Sequence, residues 1–255
     1  MLQDRVYIVT GASRGFGLAM ASTLVQNGAR VGLVSRTPAL LDRAVAEIGP
    51  ERAFGVAADV GVRAEVVAAF DAIHSHYGRL DGLVNNAGMA TPNRIEHLVE
   101  TEVLAQVQTN FLGTVFCSQA AIPLLRGGDN PRILTISSAS AWHYDEMSHL
   151  SIYASTKAAV ERFTRDLRVE VQGDGIGVTC IRPGGAWTDF AAGWDPAAFA
   201  SALAAWKEAG THLDTGMDVD HVAGAVLYAL SQPPGVGVDL LEIRPNTPTP
   251  KTLLQ

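Results

Sequence analysis

A tyrosine and a lysine four residues apart, Tyr153 and Lys157, are the pair in this 255-residue sequence whose types and spacing could do chemistry. On a helix that offset sets a phenol and an ammonium side by side on one face. A phenol beside a cation is a proton donor and acceptor tuned toward neutral pH. An ordinary tyrosine titrates near 10, and bringing it to about 7 takes roughly 4 kcal/mol of preferential stabilisation of the phenolate. With five tyrosines and three lysines in the chain, chance rarely produces the pairing. Taken alone it also describes an ordinary contact on a helix surface.

The pair gains weight from the other polar residues that punctuate the chain. Upstream lie Thr10-Gly11-Ala12-Ser13-Arg14-Gly15-Phe16-Gly17, then Asn85-Asn86-Ala87-Gly88, Asn110 and Ser137-Ser138; downstream comes Pro183-Gly184. Most of these fall where a Val/Ile/Leu-rich run ends. In an open parallel sheet, groups at the carboxyl ends of strands converge on one edge, where ligands bind. Short apolar runs near 5–10, 30–35, 53–58, 80–85, 132–137, 176–182 and 238–243 read as strands. Amphipathic stretches near 15–27, 38–48, 62–77, 96–125, 152–172 and 218–230 read as the helices between them. This alternation predicts one α/β domain over residues 1–255, a doubly wound Rossmann fold with a seven-stranded parallel sheet flanked by helices. In the first turn, Gly11, Gly15 and Gly17 permit a tight bend and close approach of a ligand to a helix N-terminus, whose free N–H groups favour a phosphate.

Composition removes several function classes. A net charge of −7 with scattered basic residues argues against nucleic acid. No apolar run approaches the roughly 18 residues of a membrane span, and the first residues lead straight into a strand with no room for a signal peptide, so a cytoplasmic protein is expected. Cys117 and Cys180 read as buried reduced thiols. His74 and His76 lack further ligands nearby, and no metal is expected.

From residue 5 to 243 the chain resembles the short-chain dehydrogenase/reductase family. The resemblance rests on T-G-x-x-x-G-x-G at Thr10–Gly17, Asp59-Val60, Asn85-Asn86-Ala87-Gly88, Asn110, the set Ser138, Tyr153 and Lys157, and Pro183-Gly184 with Thr188. It implies an NAD(P)-dependent oxidoreductase. Tyr153 would be the general acid/base, and Ser138 would hold the substrate oxygen. Lys157 would bind the nicotinamide ribose and depress the tyrosine pKa, and Asn110 would anchor a water linking Lys157 to solvent. Gly11, Ser13, Arg14, Gly15, Phe16 and Gly17 would cradle the cofactor. Asp59 and Val60 would contact adenine, while Asn86, with Ala87 and Gly88, would shape the floor beneath it. Pro183 and Gly184 would lead to Thr188, which would grip the carboxamide. Two departures stand out. Ser138 precedes Tyr153 by 15 residues, two more than the family pattern, which leaves Ser137 and Ser140 as alternatives, Ser140 at the family offset. The C-terminal Leu241-Glu242-Ile243-Arg244-Pro245 lacks the Asp-Gly-Gly ending of many relatives.

The second strand ends in Ser35-Arg36, with no acid to bind a ribose 2′-hydroxyl, and Arg36 offers a planar fork suited to a 2′-phosphate that Arg14 could close upon. NADP(H) is therefore the expected cofactor, with NAD(H) as the second choice. The segment 187–216 interrupts the alternation and holds Trp187, Trp194 and Trp206, which suggests a substrate lid. Met89, Trp142, His143, Tyr144, Met147, His149, Leu150, Trp187, Phe190 and Trp194 are the pocket candidates, and their bulk points to an apolar substrate of moderate size. A carbonyl reductase or secondary alcohol dehydrogenase is the leading reading. A hydroxysteroid or other bulky cyclic alcohol dehydrogenase, and a non-catalytic NADP(H)-binding regulator, are the alternatives. The resemblance further implies a homodimer or homotetramer paired through the long helices.

Overall fold

Strands β1 (Val6–Thr10), β2 (Arg30–Ser35), β3 (Ala53–Ala57), β4 (Gly82–Asn85), β5 (Arg132–Ile136), β6 (Gly177–Pro183) and β7 (Leu240–Ile243) form one sheet in the order β3-β2-β1-β4-β5-β6-β7, every pair parallel. The computed structural model describes residues 2–142, 148–186, 188–209 and 216–247. All seven expected strands are present in an α/β Rossmann arrangement. β1, β4 and β5 are buried at every residue, because crossover helices cover both faces of a parallel sheet at its centre.

The helices are α1 (Gly15–Gln26), α2 (Pro38–Ile48), α3 (Arg63–Tyr77), α4 (Glu100–Gln106), α5 (Gly113–Leu125), α6 (Ser151–Val171), α7 (Pro196–Ala209) and α8 (Val219–Leu230). One core layer joins α1, α2 and α8 to the sheet through Met20, Leu24, Leu41 and Val226. The opposite layer joins α3, α5 and α6 through Phe70, Ile73, Leu125 and Leu167. A third cluster, Ala90, Leu150, Ala202 and Trp206, lies above the sheet edge and is where α7 docks.

Two elements differ from the sequence reading. The helix expected over 96–125 is a 3-10 turn at Ile95–His97, then α4, a π-helical turn at Val107–Leu112, and α5. A π turn inserts an extra residue into the ladder. Here it carries Asn110, whose carbonyl accepts a side-chain bond from Thr114 at 2.9 Å. The second difference is α7, a helix inside the aromatic-rich insertion for which no element was assigned.

Candidate active site

The chain reverses direction across the sheet between β1 and β4, and a cleft of about 660 Å³ opens at that switch, beyond the carboxyl ends of the strands. Gly11 has φ +66, and a Cβ there would lie 2.9 Å from the Ala87 Cα; a Cβ on Gly17 would collide with the Gly11 carbonyl oxygen. The glycines therefore press the first turn against the loop after β4. Thr10 and Asn86 lock that contact. The Thr10 hydroxyl accepts from the Asn86 and Ala87 N–H groups, both at 3.0 Å, and the Asn86 amide donates to the Thr10 carbonyl at 2.9 Å. Asn86 thus shapes the floor by holding backbone. The N-terminus of α1 opens onto the cleft with no side-chain cap and no acid in its first turn, which suits an anionic ligand. At the far end, Ser35 donates to Ser13 at 2.9 Å, and Arg14 and Arg36 line an exposed rim. Arg36 lies 3.9 Å from the Asp59 carboxylate.

At the other end of the cleft, α6 presents Tyr153 and Lys157 to the end of β5. Ser138 and Tyr153 line the same end of the cleft, and Ser138 acts on the phenol to lower its pKa. The 3-10 turn Ala139–Ala141 folds Ser140 back so that its hydroxyl donates to Ser138 at 3.0 Å. Ser137 also lines the cleft, and its hydroxyl donates to Glu161 at 2.7 Å. Of the three serines, Ser138 is the one that lowers the Tyr153 pKa. Lys157, 4 % exposed, donates to the Ile136 carbonyl at 2.8 Å, and its ammonium is 5.9 Å from the Tyr153 ring centre.

Burial governs both titrating groups. It pushes the Tyr153 phenol above its ordinary value, an effect that Ser138 offsets in part. Burial also pushes the Lys157 ammonium down to about 8. The expected depression of Tyr153 by Lys157 is not found: loss of hydration dominates the phenol, and Ser138 is what opposes it.

Beyond Tyr153, the rings of Tyr153, Phe190, Trp194, Phe199 and Trp206 form a chain of contacts with centroid distances of 5.7, 6.0, 5.3 and 6.3 Å. Phe190 and Trp194 line the cleft, and the buried Trp194 indole N–H has no hydrogen-bond partner. Trp206 is 3 % exposed and donates to the Ser148 carbonyl at 2.7 Å, tying α7 to the loop before α6.

The structure gathers Val60, Ala87, Gly88, Pro183, Gly184 and Thr188 into the same cleft, along with Ser13, Gly15, Phe16 and the residues above. Five expected site residues stand outside its lining. Asn110 holds the fold together, donating to the Met89 carbonyl and to Thr156 at 2.9 Å each and accepting from the Met89 N–H at 2.8 Å. Met89 has its sulfur 3.6 Å from the Thr109 hydroxyl. Asp59 turns its carboxylate to the Gly61 N–H and Arg36. Trp142 covers the Arg182 guanidinium, 5.6 Å from ring centre to carbon, because a buried cation draws an aromatic face. His149, at φ +68, bonds Ser148. Tyr144 and Trp187, with His143 and Met147, lie outside the described residues. Thr37, Leu40, Thr109 and Asp189 line the cleft without having been singled out; nothing in their local spacing sets them apart. Thr10 was visible as the first letter of the glycine motif.

Comparison with known proteins follows this geometry. A family model described as short chain dehydrogenase matches residues 5–198. An uncharacterised oxidoreductase of Staphylococcus aureus is 30 % identical over 96 % of this chain and 99 % of its own. Among solved structures, a 3-ketoacyl-(acyl-carrier-protein) reductase from Brucella melitensis complexed with NADH superposes with a TM-score of 0.84 at 28 % identity, covering 96 % of this chain and 99 % of that one. A short chain dehydrogenase from Burkholderia cenocepacia in complex with NADP gives a TM-score of 0.82 at 29 % identity, covering 95 % and 97 %.

Proposed function

The chain belongs to the short chain dehydrogenase family and is an oxidoreductase, and within that chemistry we propose that it uses NADP(H) to interconvert a ketone and a secondary alcohol of apolar character and moderate size. The observation that carries this reading is the meeting of Ser138, Tyr153 and Lys157 at one end of a cleft whose other end is the glycine turn. The donor set fits a dinucleotide. The uncapped N-terminus of α1 would hold the pyrophosphate, Lys157 the nicotinamide ribose, Thr188 the carboxamide, and Arg14 with Arg36 a 2′-phosphate. The nicotinamide would supply or accept the hydride. Ser138 would orient the substrate oxygen through its hydroxyl, and Tyr153 would give or take the proton at that oxygen. The raised phenol pKa keeps this proton in place at neutral pH, which suits carbonyl reduction. Phe190 and Trp194 would cover the substrate and exclude water. This aromatic wall also supports a hydroxysteroid or other bulky cyclic alcohol as the substrate. An intact Ser138, Tyr153 and Lys157 set speaks against a non-catalytic regulator.

The test is oxidation of NADPH and of NADH in the presence of a panel of aliphatic, aromatic and polycyclic ketones, with Tyr153→Phe as control. Turnover with NADPH is expected, and the control should lose roughly 10² to 10⁴ in kcat with cofactor affinity within a few fold. Retention of more than about a tenth of kcat would remove Tyr153 from the acid/base role.

A further inference from the structure

The side of α6 that carries Tyr153 and Lys157 continues, four residues further on, to Glu161, and each of the three meets one of three consecutive residues at the end of β5. Tyr153 lines the cleft beside Ser138, which lowers the phenol pKa, Lys157 donates to the Ile136 carbonyl at 2.8 Å, and the Ser137 hydroxyl donates to Glu161 Oε1 at 2.7 Å. Glu161 is itself gripped from β6. Arg182 donates from Nε to Oε1 at 2.8 Å and from Nη2 to Oε2 at 2.6 Å, while its Nη1 reaches Glu242 of β7 at 2.8 Å. The Arg182 side chain is 8 % exposed and that of Glu161 17 %, so the pair is held in a site that water hardly enters. Arg182 directly precedes the Pro183-Gly184 turn of the cleft. One carboxylate thus joins the helix that carries the phenol to the strand that carries Ser138 and to the strand that leads to Thr188.

We propose that Glu161 is a positioning residue for the reaction: it locks the Ser137-Ser138 strand end against α6 and keeps an anion one helical turn beyond Lys157. The proposal rests on the reading of Ser138, Tyr153 and Lys157 as the reacting set. Two functions follow from one group. By fixing Ser137 it fixes the direction of the adjacent Ser138 hydroxyl, and displacements of about 1 Å at such a site can cost on the order of a hundredfold in rate. By its charge it favours the protonated form of a lysine that burial otherwise discharges.

The surroundings leave Glu161 as the anion that matters to Lys157. Tyr153 faces it from α6 and Cys180 from β6, but the phenol is pushed up and the thiol is pushed up to about 12, so both are neutral near pH 8. Arg182, beyond Cys180, is a cation neutralised by Glu161 and Glu242. Of the acids on other elements packed against α6, Glu100 is at the surface, Glu102 accepts from the Val99 N–H and Asp174 pairs with Arg126.

The chain has three lysines, Lys157, Lys207 and Lys251, so the Lys157 side chain is readily followed by NMR of 13C-labelled lysine, with Lys157→Arg to assign it. In the cofactor-free wild type it should titrate near 8. In Glu161→Gln the titration should move down by about one unit, and in Glu161→Asp, which keeps the charge, it should stay within a few tenths. An unmoved titration in Glu161→Gln would overturn the charge role, whatever the substrate proves to be. Ser137→Ala, a one-atom change expected to fold even if Glu161→Gln does not, tests the positioning role. It should lower kcat about tenfold in ketone reduction while leaving KM within twofold. A wild-type kcat in Ser137→Ala, with Tyr153→Phe inactive, would overturn positioning and leave the assignment of the reacting set standing. Absence of turnover in the wild type would overturn that assignment and the positioning role with it, while the titration would still decide the charge role.

Discussion

At the scale of single residues, the buried Lys157 ammonium costs the fold stability. Burial lowers its pKa from an ordinary 10.5 to about 8, so between these values the unfolded chain binds more protons than the folded one and stability rises with pH. Below about 8 the penalty is present in full. Lys157→Met, which removes the charge and keeps the bulk, is therefore expected to stabilise the cofactor-free protein at pH 7 by up to about 3 kcal/mol. The gain should shrink as pH rises from about 8 toward 10.5, as followed by urea unfolding at several pH values. A gain that does not depend on pH would show that packing, and not charge, is responsible. Arg36 poses a question of charge at the surface. It carries a side-chain exposure of 58 % and lies 3.9 Å from Asp59, a weak and screened pair that leaves its fork available. If Arg36 holds a 2′-phosphate, as proposed, Arg36→Asp puts a like charge in its place, and the ratio of NADPH to NADH efficiency should fall more than about a hundredfold, on the order of 3 kcal/mol. If the wild type already prefers NADH, Arg36 does not set the cofactor.

At the scale of elements, the glycine turn and the start of α1 show two kinds of constraint. A Cβ on Gly17 would run into the Gly11 carbonyl, which is backbone and cannot swing aside. Gly15 is different: a Cβ there has space, with Thr188 no nearer than 3.7 Å, and its φ of +55 is the only obstacle. Gly17→Ala should therefore destabilise the protein by more than about 2 kcal/mol, and Gly15→Ala by about 1 to 2 kcal/mol. Equal losses in denaturant melts would contradict this division. The strands and helices around this turn were legible because their signals are local. Val6–Thr10 and Arg132–Ile136 are buried on both faces and read as short Val/Ile/Leu-rich runs, and α6 announces itself by its 3.6-residue period. The π turn at Val107–Leu112 was not legible, since an apolar period through 96–125 continues across it.

The whole molecule is a sheet of seven parallel strands with a separate small cluster, Ala90, Leu150, Ala202 and Trp206, where α7 docks. Among the described residues no helix is long and apolar enough to cross a membrane. We propose that the segment around α7 acts as a lid over a single catalytic domain, moving as a unit because Trp206 seals its underside. Hydrogen exchange is the check. Residues 188–209 should gain protection when NADP⁺ and an unreactive alcohol analogue bind, and equal protection with and without them would mean that α7 is a fixed part of the body. The sequence by itself determined the fold class, the glycine turn, the Tyr153 and Lys157 pair and the family, because each is written in residues that are neighbours along one strand, turn or helix face. Only the tertiary structure turned the Ser137 hydroxyl onto Glu161 and that of Ser140 onto Ser138, drew Trp142 onto Arg182, and revealed the grip of Arg182 on Glu161 across 21 residues and of Trp206 on Ser148 across 58. These contacts depend on how strand ends and an inserted helix come to lie in space. Residue types carry that information only once the intervening chain has been packed, when burial leaves each polar group in search of the partner that happens to face it.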